Sequence, residues 1–240
     1  MSSQLVVALD VSELERARSL VELLRPLGVT FKIGYEALYA FGDALIAQLS
    51  GEQTPYVLDL KLHDIPRTVE AAVNAVVRPG LKIVTVHALG GNEMMRAAVE
   101  AASESATALG IPEPAIFAVT LLTSIGAEDL NELGLMGGPG ENVIRLAALS
   151  RDAGCGGIVC SPHEAADIKS FFGTGFATFC PGIRPTGSAH GDQKRVATPA
   201  EALQAGADYI VVGRPITEAD DPVAAARAIL EEMSTVGAAR

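Results

Sequence analysis

The chain has 240 residues, 49% of them hydrophobic and 20% charged, and a formal net charge of −11. That length and apolar content predict a single domain with a large core spanning residues 1–240. The acidic balance argues against a nucleic-acid surface, and no apolar run is long enough for a membrane span or a secretory leader.

Short apolar runs alternate with amphipathic, alanine-rich stretches throughout. The pattern predicts strands at 5–9, 30–33, 56–61, 83–87, 115–120, 157–160, 177–180 and 209–212. It predicts helices that begin near Ser12, Tyr35, Pro66, Asn92, Asn142, His163, Thr198 and Asp221. A helix after each strand implies parallel strands. Eight such units in a domain of this length predict a (β/α)8 TIM barrel. An open doubly wound sheet is the alternative, although it would usually need fewer units. Cys155, Cys160 and Cys180 are odd in number and form no CxxC or Cys/His metal pattern. Each sits in or beside an apolar run, so they are expected to be buried thiols of a reducing, cytoplasmic environment.

Polar residues gather where a barrel would use them. Asp10, Lys32, Asp59, Lys61, His87, Thr120 and Arg214 fall at or near predicted strand C-termini, the end at which α/β barrels hold their chemistry. The densest segment is 56–66, Tyr-Val-Leu-Asp-Leu-Lys-Leu-His-Asp-Ile-Pro. Residues two apart on a strand face one side, so Asp59 and Lys61 point together, away from Leu58, Leu60 and Leu62. Charges in so apolar a run are costly unless they pair with each other or with a ligand. One reading is an ion pair that plugs the strand end, with Asp64 helping to cap the helix begun by Pro66. The other is a catalytic cluster with shifted proton affinities.

The loops after the last two strands carry an anion signal. They read Pro181-Gly182-Ile183-Arg184-Pro185 and Gly213-Arg214-Pro215, at positions that often bind phosphate in barrels. Gly213 would allow close backbone approach, and Arg214 would give a charged fork to phosphate oxygens. Residues 186–193 form a polar, glycine-containing loop, long for a βα connection, that reads as either a lid or an ordinary surface loop. His87 is expected to make a structural hydrogen bond, His63 to sit behind the charged pair, and His163 to belong to a helix start. Thr123 and Ser124 would either cap a helix or bond a polar ligand ring.

These motifs resemble the orotidine 5′-phosphate (OMP) decarboxylase family nearly end to end. The likeness rests on Ala8-Leu9-Asp10, Phe31-Lys32-Ile33-Gly34, the run from Asp59 to Pro66 with Thr68, and Val86-His87-Ala88. It continues through Val119-Thr120, Leu122-Thr123-Ser124, the Pro-Gly-Ile-Arg-Pro loop, Gly191-Asp192-Gln193 and Val212-Gly213-Arg214. The Asp-x-Lys-x-x-Asp spacing alone also resembles sugar-phosphate decarboxylases and synthases on the same barrel. The His-Asp-Ile-Pro continuation and the C-terminal loops are more specific.

The resemblance implies cofactor-independent decarboxylation of OMP to UMP in de novo pyrimidine biosynthesis, with no metal. It implies that Lys61 gives the C6 proton, within a charge network of Asp59, Asp64 and Lys32. Asp10, Lys32 and Thr68 would meet the ribose, and Thr123 and Ser124 the pyrimidine. Arg184, Gly213, Arg214 and Gln193 would hold the phosphate, with Ile65 and Pro181 also at the substrate. It further implies a homodimer, with Asp64 and Thr68 donated across the interface. The alternatives are a magnesium-dependent sugar-phosphate decarboxylase, which needs a further carboxylate beside Asp59 and Asp64, and a non-catalytic nucleotide-binding protein.

Overall fold

A computed structural model describes residues 4–185 and 196–237. Its eight strands close into one parallel barrel in chain order. They are β1 (Gln4–Ala8), β2 (Thr30–Ile33), β3 (Tyr56–Leu62), β4 (Leu81–His87), β5 (Ala115–Val119), β6 (Gly157–Val159), β7 (Ala177–Cys180) and β8 (Tyr209–Val212). Each predicted strand is present, with ends shifted by at most two residues. The open-sheet alternative is excluded by β1 pairing with β8, Val6 opposite Val211.

Alternation along each strand builds two apolar layers. Val6, Ala8, Val57, Ile83, Phe117, Val119, Val159, Phe179 and Val211 fill the lumen. Leu5, Val7, Phe31, Leu58, Val84 and their neighbours face outward under the helices. Both faces are therefore buried, which is why the strands read as nearly continuous apolar runs. Gly157 opens β6 because a Cβ there would lie 2.4 Å from the Ala177 carbonyl oxygen.

The helices are α1 (Leu14–Leu24), α2 (Tyr35–Phe41), α3 (Ala44–Gly51), α4 (Pro66–Val76), α5 (Gly91–Leu109), α6 (Ala127–Glu132), α7 (Pro139–Asp152), α8 (Pro162–Phe172), α9 (Pro199–Gln204), α10 (Arg214–Thr217) and α11 (Pro222–Gly237). Several starts follow from local chemistry. Ser161 and Thr198 cap α8 and α9 with reciprocal Glu164 and Glu201 contacts. Asp221 Oδ1 accepts from the Val223 and Ala224 amides ahead of α11. The helix expected near Asn142 instead begins at Pro139, behind an unanticipated α6. The stretch beginning at Tyr35 is two helices, because Gly42 breaks it with φ 59°. Asp64 does not cap α4: Ile65 holds the N-cap position without a side-chain cap, and Asp64 Oδ1 accepts from the adjacent Ile65 amide at 2.6 Å.

All three cysteines are buried. Burial pushes the Cys155 thiol up to about 12. A hydrogen bond with Cys180, then burial, raises Cys160 as well. Thiols so far from their thiolate form are poor nucleophiles. Among the described residues, no helix is long and apolar enough to cross a membrane.

Candidate active site

At the C-terminal mouth of the barrel lies a cavity of about 730 Å³, within the range of nucleotide-sized pockets. Asp10, Lys32, Asp59 and Lys61 line one side, and Leu121, Leu122, Thr123 and Ser124 another. Pro181, Gly182, Arg184, Gly213 and Arg214 complete it from the last two loops. Residues from six strand ends thus meet, although most lie far apart in the chain.

The charged side forms a chain of ion pairs. Lys61 Nζ is 2.8 Å from Asp59 Oδ2, and Lys32 Nζ is 3.4 Å from the same oxygen. Lys32 Nζ also reaches Asp10 Oδ1 at 3.1 Å. Asp59 is only 9% exposed. Burial alone would raise its carboxyl pKa, but Lys32, Lys61 and the hydrogen bonds from Lys61 and Thr85 outweigh that and hold it below the ordinary carboxylate range. Burial likewise opposes the charge on Lys32, yet Asp59 and Asp10 raise its pKa above the usual lysine value. Both groups are therefore ionised at neutral pH. Gly34 leaves room for this pairing, since a Cβ there would stand 3.0 Å from Lys32 Nζ and 3.2 Å from Asp10 Oδ1.

Lys61 occupies an unusual backbone. Its φ is 44°, a left-handed conformation that costs a non-glycine residue about 1–2 kcal/mol. The pairing of β3 with β4 slips here, from Leu58 opposite Val84 to Leu62 opposite Val86. Such bulges re-aim side chains beside functional sites. The Lys61 amide donates to Thr85 Oγ1 at 2.9 Å, and that hydroxyl donates to Asp59 Oδ1 at 2.9 Å.

Other expected residues lie elsewhere. Asp64 and Thr68 line a second hollow of about 400 Å³ together with Tyr35, Tyr39, Lys61 and His63. Lys61 borders both hollows. Ile65 lines neither and is 65% exposed. It holds the N-cap position of α4. Thr120 is buried and donates to the Val159 carbonyl at 3.0 Å, so it serves the barrel wall rather than the cavity. The structural hydrogen bond expected of His87 is not made by its Nδ1, which is buried without a partner. Its ring stacks on His63 at 5.2 Å instead. Burial lowers its pKa, and His63 and Lys61 add to the effect. His163 begins α8 as expected. Gln193 and the expected lid at 186–193 lie outside the described residues.

The profile of the "Orotidine 5'-phosphate decarboxylase / HUMPS family" matches residues 3–229. The chain belongs to this family. It is 47% identical over 234 residues to an orotidine 5'-phosphate decarboxylase of Moorella thermoacetica, covering 97% of this chain and 93% of the relative. It is 48% identical over 236 residues to the one of Halorhodospira halophila, covering 98% and 97%. The crystal structure of orotidine 5'-phosphate decarboxylase from Lactobacillus acidophilus superposes with a TM-score of 0.85 at 37% identity, covering 96% of this chain and 99% of that one.

Within this family member, sequence reasoning passed over three features of the site. Thr85 joins the charged pair from the neighbouring strand; its signal was a lone hydroxyl residue at the lumen-facing phase of β4, between Ile83 and His87. Tyr35 lies under Lys61 Nζ, 5.7 Å from the ring centre, and its hydroxyl donates to the Leu60 carbonyl. Glu36 and Glu218 also border the cavity, and no motif marked them.

Proposed function

We propose that this carboxy-lyase converts OMP to UMP and CO2 without a cofactor, with Lys61 as the proton donor. The bond from C6 to the carboxyl carbon breaks, its electron pair stays on C6, and CO2 leaves. C6 then takes a proton from Lys61 Nζ, and the neutral amine regains one from water. A fixed ammonium beside the reacting carbon stabilises the charge that develops there. Asp59 orients the Lys61 ammonium through its 2.8 Å contact.

The remaining roles follow the family resemblance. Asp10 and Lys32 contact the ribose hydroxyls, and Thr123 and Ser124 contact the pyrimidine. Pro181, Arg184, Gly213 and Arg214 receive the phosphate, joined by Gln193. Binding energy from the unreactive phosphate can then be used to hold C6 against Lys61. A second copy of the chain supplies Asp64 and Thr68, and Ile65 also stands at the substrate. The position of Asp64 and Thr68 in a separate hollow that Lys61 also borders supports this. So does the exposure of Tyr39, at 81%, and of Ile65, since a second copy would cover them.

One observation carries the reading: two lysines converge on one buried carboxylate in a nucleotide-sized cavity that two arginines also line. The test is loss of OMP absorbance in a chelator-treated enzyme. Undiminished turnover supports the proposal. Turnover that vanishes on chelation and returns with magnesium points to metal-dependent chemistry. Tight nucleotide binding with no turnover identifies a binding protein.

A further inference from the structure

Thr85 lies on β4 and is wholly buried, so it does not touch the cavity. Its hydroxyl nevertheless holds both members of the reacting pair. It accepts from the Lys61 amide and donates to Asp59 Oδ1, each at 2.9 Å. The direction is forced, because an amide can only donate and an ionised carboxylate can only accept. The single hydroxyl proton must therefore point at Asp59.

The strand slip explains why a side chain is needed. Between Leu58 and Leu62 the regular ladder to β4 is interrupted, and the partly buried Lys61 N–H finds a side-chain oxygen where a ladder carbonyl would otherwise stand. A buried amide left without a partner is costly, and a left-handed non-glycine backbone persists only where its surroundings over-determine it. On the other side, Asp59 Oδ1 is fixed by Thr85 while Oδ2 faces Lys61 and Lys32. One hydroxyl thus sets the backbone of the ammonium residue and the plane of the carboxylate that orients it.

We propose that Thr85 is a positioning residue for the decarboxylation, tying the left-handed Lys61 backbone to Asp59 so that Nζ stands at the reacting carbon. The inference rests on the function proposed above. Thr85→Val keeps the shape and removes the hydroxyl, whereas Thr85→Ser keeps the hydroxyl and removes the methyl.

Small misplacements at a reacting centre cost roughly a hundredfold. Thr85→Val should therefore lower kcat by about that factor, and KM for OMP should change by no more than about threefold because the phosphate and ribose contacts are untouched. Thr85→Ser should return kcat to within about fivefold of the unaltered enzyme. UMP binding by calorimetry counts folded sites, so a misfolded fraction does not enter the comparison. Amide hydrogen exchange at Lys61 supplies a readout independent of turnover: it should quicken in Thr85→Val and be unchanged in Thr85→Ser. An unchanged kcat per folded site in Thr85→Val, a loss carried by KM, or equal impairment in Thr85→Ser overturns the proposal. If the unaltered enzyme does not turn over OMP, the proposed function fails, and unchanged exchange at Lys61 in Thr85→Val then overturns the tie itself.

Discussion

Replacing Lys61 with alanine separates the chemistry of the site from its architecture. The side chain is 27% exposed and its ammonium is 2.8 Å from Asp59, so as a partly solvated ion pair it contributes about 1 kcal/mol or less to stability. Asp59 would not be orphaned, because Lys32 remains at 3.4 Å and the Thr85 hydroxyl at 2.9 Å. The fold should therefore survive. Turnover should not: one preorganised charge contact is worth about 3–4 kcal/mol, and a proton donor contributes a further factor of about 10²–10⁴. Lys61→Ala should lose at least about three orders of magnitude in kcat.

A second substitution checks the backbone argument. Lys61→Gly should be as inactive as Lys61→Ala, yet about 1 kcal/mol more stable, because glycine adopts positive φ without strain. That corresponds to roughly 2–4 °C in Tm for a chain of this size. The assays are OMP turnover and thermal unfolding on the same preparations. Turnover of Lys61→Ala within about tenfold of the unaltered enzyme, or roughly 1.4 kcal/mol, would refute the proton-donor assignment. Equal melting temperatures for the alanine and glycine forms would refute the strain.

Three further outcomes follow from the same geometry. Arg214→Ala should weaken OMP by about 1.5–3 kcal/mol for a lost charged hydrogen bond while barely affecting a substrate without the phosphate, as judged by kcat/KM for both. Lys61→Ala and Asp64→Ala proteins, each nearly inactive, should recover about a quarter of full activity when mixed under random subunit exchange, since half the dimers then hold one intact site of two; exchange confirmed by native mass spectrometry without recovery rules out donation of Asp64 across the interface. The lowered Asp59 pKa means that its share of stability is fully present above the ordinary carboxylate value of about 3.9 and is lost as pH falls through the lower folded value. Melting curves in that acid range should therefore fall more steeply for the unaltered enzyme than for Asp59→Asn.

The strands were legible because both faces of the barrel wall are buried. Leu58 and Val57 point to opposite layers and both are fully buried, so β3 reads as an apolar run and the charges at its end stand out. The helix breaks were less visible. Nothing in the alanine-rich run after Tyr35 distinguishes α2 from α3 except Gly42, and the glycine-rich stretch before Pro139 hides the short α6. Within the site, Asp10, Lys32, Asp59, Lys61, Arg184 and Arg214 were readable as charges at strand ends, and they do line one cavity. The left-handed Lys61 and its Thr85 tie were not readable, because both depend on how β3 slips against β4. Period-two reasoning assumes an unbroken ladder. Thr120 and His87 also sit at strand ends, yet they turn to the barrel wall and to His63, which position along the chain alone does not reveal.

The most direct test of the account is the fate of carboxyl-labelled OMP in D2O, followed by NMR. The account predicts release of the labelled carbon as CO2 and UMP that carries deuterium at C6, both abolished in Lys61→Ala. Unchanged OMP in the presence of folded enzyme, or the same deuterated UMP at the same rate from Lys61→Ala, would contradict it.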